Sequence, residues 1–231
     1  MIGSDIERMA RRQWIADCIR LTAASLATAA SSARGQGARP GAPRTLLVVG
    51  DSLSAEYGLA RGQGWVALLE ARLAREKLAW QVVNASISGD TTSGGRSRLP
   101  ALLQRHAPSL VVLELGGNDA LRGLSLAMTE ANLVAMTRAA RESGARVLIT
   151  GMAVPPNYGR KYADEFAALF GKVARAEKAA LVPFLLAGVA DGPQADSLFQ
   201  PDRIHPRAEA HPRILDNVWP VLGPMLRTPS R

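Results

Sequence analysis

The chain is poor in several residue types that carry specialised chemistry. Its 231 residues include one cysteine, Cys18, three histidines and 5% aromatic residues. A single cysteine excludes an internal disulfide. With no CxxC and no Cys/His cluster, His106, His205 and His211 are too few and too scattered for a zinc centre. No run approaches the roughly 18 apolar residues of a membrane-spanning helix. The net charge of +8 comes from dispersed Arg and Lys, with no block of five or six like charges and no interleaved aromatics. It therefore carries no nucleic-acid signature. The elbow G-x-S-x-G is missing. What is present, 47% hydrophobic and 21% charged residues, is the balance of a globular chain with room for one sizeable core.

The first 43 residues differ from the rest. Arg11-Arg12 is followed by two apolar residues, Trp14 and Ile15 after Gln13, then by the small, mildly apolar stretch Leu21–Ala33. Ser31-Ser32-Ala33 places small residues where a signal peptidase needs them. Residues 1–33 are expected to be an export signal of twin-arginine type, starting at Met1 or Met9. The alternative is a loosely ordered tail. Residues 34–43, rich in Gly, Pro and Ala, read as a linker to a domain over residues 44–231.

From there apolar strands alternate with amphipathic helices. The expected strands are Thr45–Val49, Gln81–Ala85, Ser109–Leu115, Arg146–Thr150 and Ala180–Phe184. Helical spacing appears at Trp65, Leu68, Leu69 and Leu73 within Gln63–Lys77, at Leu99, Leu102 and Leu103, at Leu133 and Met136, and at Phe166, Leu169, Phe170 and Val173. A last helix is expected from Pro212, kinked or ended by Pro220. Alternation of this kind predicts an α/β fold: a five-stranded parallel sheet between two helical layers, in the flavodoxin-like order 2-1-3-4-5. Ligands of such sheets lie at the carboxyl ends of the strands, where the order reverses.

Strand 1 runs into Gly50-Asp51-Ser52, strand 2 into "NASISGDTTSGG", and strand 3 into Gly116-Gly117-Asn118-Asp119. In the order 2-1-3 these ends are neighbours. Acyl transfer needs a nucleophilic oxygen and donors aimed at the developing oxyanion. Ser52 can supply the oxygen, and the N–H groups of Ser52 and Gly89 with the amide of Asn118 can supply the donors. "QPDRIHP" adds Asp202 and His205, spaced so that a carboxylate can orient an imidazole whose other nitrogen faces Ser52. Each piece alone has a plainer explanation. Gly-Asp-Ser makes a helix-capping turn, Gly-Gly-Asn-Asp a tight turn, and Asp202 with His205 a surface pair. His106 and His211 are left as helix-surface residues. The four pieces, in order at the ends of the strands, outweigh their separate explanations. A phosphate-binding module of the same fold is the competing class. It gives no reason for Asp202-x-x-His205, and no Walker-type Lys follows a glycine cluster.

These residues match a known pattern. Over residues 45–226 the chain resembles the SGNH (GDSL) hydrolases. "GDSLS" matches the block of the nucleophile, "NASISGDT" that of the oxyanion glycine, "LGGNDALRG" that of the oxyanion asparagine, and "DRIHP" that of the Asp–His pair. "VPPNYGRKY", Val154–Tyr162, is similar to a loop of the branch of bacterial periplasmic acyl-CoA thioesterase/lysophospholipase enzymes and arylesterases. The resemblance implies a serine esterase acting on oxygen esters and thioesters of single acyl chains, with no metal and no cofactor. It implies Ser52, Asp202 and His205 as catalytic residues and Ser52, Gly89 and Asn118 as the oxyanion hole. Leu121, Leu124, Val154, Pro155 and Tyr158 are expected to border the acyl chain. The expected partner is a small acyl ester, with neither nucleic acid nor a membrane anchor. A carbohydrate or peptidoglycan O-acetylesterase on the same fold remains the alternative.

Overall fold

A computed structural model describes residues 44–228. The expected export signal (1–33), the linker (34–43) and Cys18 lie outside the described residues. Five strands form one parallel sheet: β1 (Arg44–Gly50), β2 (Trp80–Asn84), β3 (Leu110–Glu114), β4 (Arg146–Thr150) and β5 (Ala180–Val182), in the order β2-β1-β3-β4-β5. Leu46 to Val49 and Leu110 to Leu113 are wholly buried, as apolar strands covered on both faces should be. β5 ends before Pro183, which has no N–H for the ladder.

The first crossover runs from β1 to β2, and the next passes back over β1 to β3. Right-handed connections then put their helices on opposite faces. Helix α1 (Trp65–Arg75) packs with the last helix, α7 (His211–Arg227). On the other side, α2 (Thr92–His106), α4 (Leu126–Glu142) and α5 (Arg160–Ala176) pack in series. Two short helices, α3 (Gly117–Leu121) and α6 (Ala195–Leu198), lie in connections; the first covers part of the stretch Gly116–Asp119 that could also read as a tight turn. Gly144, in the left-handed region at φ 90°, closes α4.

Two expectations need correction. α7 continues through Pro220 and Pro224, so neither proline ends it. A proline inside a helix costs about 3 kcal/mol. Here Ile214, Leu215, Val218, Leu222 and Leu226 are all buried on one face, and each buried aliphatic side chain returns about 1.5–3 kcal/mol. His211 is not a surface residue either. It is only 2% exposed, and its Nδ1 accepts the N–H of Trp65 at 3.0 Å, capping the first turn of α1. Burial pushes this imidazole below its ordinary pKa, which keeps the acceptor lone pair available.

Candidate active site

β1 pairs with β2 on one side and β3 on the other, with Val48 opposite Asn84 and Gly50 opposite Glu114. The segments that leave these three strands therefore emerge side by side. After β1 the chain turns at once. The N–H groups of Ser54 and Ala55 donate to the Asp51 carbonyl, and the N–H of Leu53 donates to Asp51 Oδ1 at 3.0 Å. This Asp-based turn leaves Ser52 at its apex. Among the described residues, the N–H groups of Ser52 and Gly89 donate to no protein acceptor. Gly89 has φ 78°, a conformation that disfavours a side chain.

His205 closes the arrangement. Its Nε2 lies 2.8 Å from Ser52 Oγ, and its Nδ1 lies 2.6 Å from Asp202 Oδ2. The other carboxylate oxygen of Asp202 accepts the N–H groups of Ile204 and His205, both at 3.0 Å. Partial burial by itself would raise the Asp202 carboxyl. The His205 ring and these two N–H groups outweigh it and hold the group at about 2, so it stays ionised beside the imidazole.

Asn118 lies in the first turn of α3. Its Nδ2 donates to Asp51 Oδ2 at 3.0 Å, which uses one amide hydrogen and leaves the second to point elsewhere. The next residue has a different task. Asp119 is buried and accepts the N–H of Thr92 at 2.8 Å, the Thr92 hydroxyl, and the Thr129 hydroxyl at 3.2 Å. It thereby ties the start of α2 to α3 and α4.

Behind the Ser52 turn lies a buried polar chain that sequence spacing did not reveal. Trp65 Nε1 donates to Ser54 Oγ at 3.1 Å, and Ser54 donates to Glu114 Oε2 at 2.6 Å. The same oxygen accepts the N–H of Asp51 at 3.3 Å. Glu114 is wholly buried, and its Oε1 has no partner among the described residues. Burial, and then the neighbouring Asp51 carboxyl, push Glu114 well above the usual carboxylate range. Burial also raises Asp51, against the pull of the Leu53 N–H and the Asn118 amide. Both carboxyls are thus raised, and the wholly buried Glu114 the more strongly, because its two donors, the Ser54 hydroxyl and the Asp51 N–H, do not offset its burial. The only sequence signal for this was an acidic residue ending an otherwise apolar strand.

The residues expected to border an acyl chain divide in two. Leu121 and Leu124 flank Arg122, whose guanidinium donates to the Gly89 carbonyl at 2.7 Å, so this segment lies against the β2 end. Both leucines are exposed, as is Pro155. Val154 packs partly into the core, and Tyr158 stacks on Tyr162 with ring centroids 6.1 Å apart. Among the described residues no group of three His, Cys, Asp or Glu side chains is arranged to hold a metal ion.

A sheet of this order, with a Ser–His–Asp relay and clustered donors at its reversal point, defines a serine hydrolase of the SGNH type. Residues 48–213 match the GDSL-like Lipase/Acylhydrolase family, and the chain belongs to it. It is 55% identical over 185 residues to Esterase TesA of Pseudomonas aeruginosa, a match that covers 80% of this chain and 90% of that protein. It is 41% identical to the Thioesterase 1/protease 1/lysophospholipase L1 of Escherichia coli, covering 83% and 89% of the two chains. Among solved structures, the esterase EstA from Pseudoalteromonas sp., inhibited by monoethylphosphonate, superposes with a TM-score of 0.75. That match has 35% identity and covers 80% of this chain and all of the other.

Proposed function

We propose that this chain hydrolyses carboxylic oxygen esters and thioesters of single acyl chains through an acyl-Ser52 intermediate. The observation that carries this is the continuous relay from Ser52 Oγ through His205 to Asp202, at 2.8 and 2.6 Å, beside two N–H groups with no acceptor among the described residues. His205 Nε2 removes the Ser52 proton as Oγ adds to the acyl carbonyl. The N–H groups of Ser52 and Gly89 and the free amide hydrogen of Asn118 receive the oxyanion. The tetrahedral intermediate collapses as His205 protonates the departing alcohol or thiol. Water, deprotonated by the same nitrogen, then adds to the acyl-enzyme and releases the acid and free Ser52.

The surface around the site supports an acyl substrate. Ile87, Leu121, Leu124 and Ile204 are exposed large apolar residues, and all lie on the loops that carry Gly89, Asn118 and His205. The N–H of Ile87 donates to the Gly50 carbonyl at 3.0 Å, next to the nucleophile turn. Exposed apolar side chains grouped at one edge of a sheet mark a binding surface. The esterase and thioesterase names of the relatives point the same way. Leu121, Leu124, Val154, Pro155 and Tyr158 are proposed to border the acyl chain.

Residues 1–33 are proposed to be an export signal, which makes the mature enzyme periplasmic or secreted. The support is the Arg11-Arg12 pair and the small residues ending at Ala33. No helix among the described residues is long and apolar enough to cross a membrane.

A fluorophosphonate probe tests the reaction. Wild-type protein should be labelled on Ser52, and Ser52→Ala should stay folded and unlabelled. A label found on Ser54, Ser86 or Ser88 overturns the assignment.

A further inference from the structure

Tyr57 lies on the turn after Ser52 and is 48% exposed. Even so, its ring lies over the His205 imidazole, with centroids 4.2 Å apart and planes inclined by 35°. Its backbone is held from both sides of the site. Its N–H donates to the Ser52 carbonyl at 3.4 Å. Its carbonyl accepts Gln200 Nε2 at 2.9 Å, and that nitrogen also reaches the Pro206 carbonyl at 3.2 Å. The Gln200 N–H donates to the His205 carbonyl at 2.8 Å. One residue thus links the nucleophile turn to the loop of the imidazole.

The contact meets a need that the relay leaves open. Asp202 and Ser52 bond the two ring nitrogens in the plane of the imidazole. They fix where Nε2 points, but they hold rotation about the line through the two nitrogens only weakly. A ring tilted against one face of the imidazole at a centroid distance of 4.2 Å restrains that rotation. It also keeps water off that face and presents π electrons to the imidazolium that forms in the transition state.

We propose that Tyr57 is the positioning residue of His205, acting through the face of its ring. The proposal rests on Ser52, His205 and Asp202 being the catalytic relay. The ring and not the hydroxyl makes the contact, so Phe should replace Tyr and an aliphatic residue should not.

The test uses Tyr57→Phe and Tyr57→Leu, with Tyr57→Ala as a further variant. Thermal melting checks that each is folded, which half-exposure of the site favours. Two kinds of rate are read: phosphonylation of Ser52 by a small ethyl fluorophosphonate with no acyl chain, and kcat and KM for p-nitrophenyl acetate and for p-nitrophenyl octanoate. Tyr57→Phe should retain most of both rates. Tyr57→Leu and Tyr57→Ala should lower phosphonylation and kcat together, with little change in KM. Loss of the cation–π attraction alone accounts for about two- to fivefold. Unchanged phosphonylation with a raised KM for longer acyl esters would make Tyr57 a wall of the acyl surface and overturn the proposal. So would a Phe variant as slow as the Leu variant. Absence of labelling at Ser52 in the wild type would instead remove the catalytic relay itself.

Discussion

Gly50 and Glu114 face each other across the β1–β3 ladder, and the carboxyl of Glu114 occupies the space a side chain at position 50 would need. A Cβ built on Gly50 would lie 2.6 Å from Glu114 Oε2 and 2.9 Å from Ser54 Oγ. The glycine that precedes Asp51-Ser52 is therefore required by the buried chain behind the turn. Gly50→Ala should displace Glu114 and Ser54 and cost about 1–3 kcal/mol of stability, the usual range for overpacking. Urea denaturation of the variant against wild type measures it. A change of less than a few tenths of a kcal/mol would mean that the network yields without cost.

Glu114 itself should be replaceable by its neutral isostere. Its pKa is raised in the folded state, so the folded protein binds that proton more tightly than the unfolded chain does. The contribution is fully present below the unfolded carboxylate range and is lost as pH rises through the folded value. Glu114→Gln removes this loss. The variant should gain stability relative to wild type as pH rises from about 4.5 to 9, read as the difference between their urea midpoints at each pH. Parallel curves, with the variant lower throughout, would mean that Glu114 is ionised in the native protein.

Asn118 already gives one amide hydrogen to Asp51, so the other acts with a fixed orientation. Its contribution should appear mainly in the transition state. Removing one oxyanion donor lowers turnover about a hundred- to a thousand-fold. Asn118→Ala should therefore reduce kcat far more than it raises KM. An effect on KM alone would assign Asn118 to substrate binding.

Acyl length should be read through the exposed apolar residues Ile87, Leu121, Leu124 and Ile204. Each buried methylene contributes about 0.8 kcal/mol, so kcat/KM should rise with chain length until the surface is covered. A series of p-nitrophenyl esters from acetyl to palmitoyl tests this, with acyl-CoA and lysophospholipid alongside. A steep optimum at acetyl would favour the O-acetylesterase alternative.

Export predicts a cleaved N-terminus near Ala33. N-terminal sequencing of enzyme from the extracytoplasmic fraction checks it. Intact Arg11-Arg12 on cytoplasmic enzyme would contradict it.

The alternation of apolar runs and helical stripes predicts five parallel strands, and the flavodoxin-like order expected for them is the one observed. The linear sequence also marks Ser52, Gly89, Asn118, Asp202 and His205, because local motifs carry their signal: a glycine tip, an Asn-Asp pair, an Asp-x-x-His turn. The remaining features depend on residues far apart in the chain, and no spacing rule reaches them. Trp65, Ser54 and Glu114 meet only because β1, α1 and β3 pack together. His211 caps α1 from the start of α7, although its position after a loop reads as surface. Tyr57 finds His205 because Gln200 draws the two loops together. α7 keeps its form through two prolines because burial of one face outweighs the hydrogen bonds they remove. Periodicity thus sufficed for the frame, and local motifs for the residues proposed to react. Which neighbours hold those groups, and in what charge state, was decided by packing, since burial and long-range hydrogen bonds exist only once the chain has closed on itself.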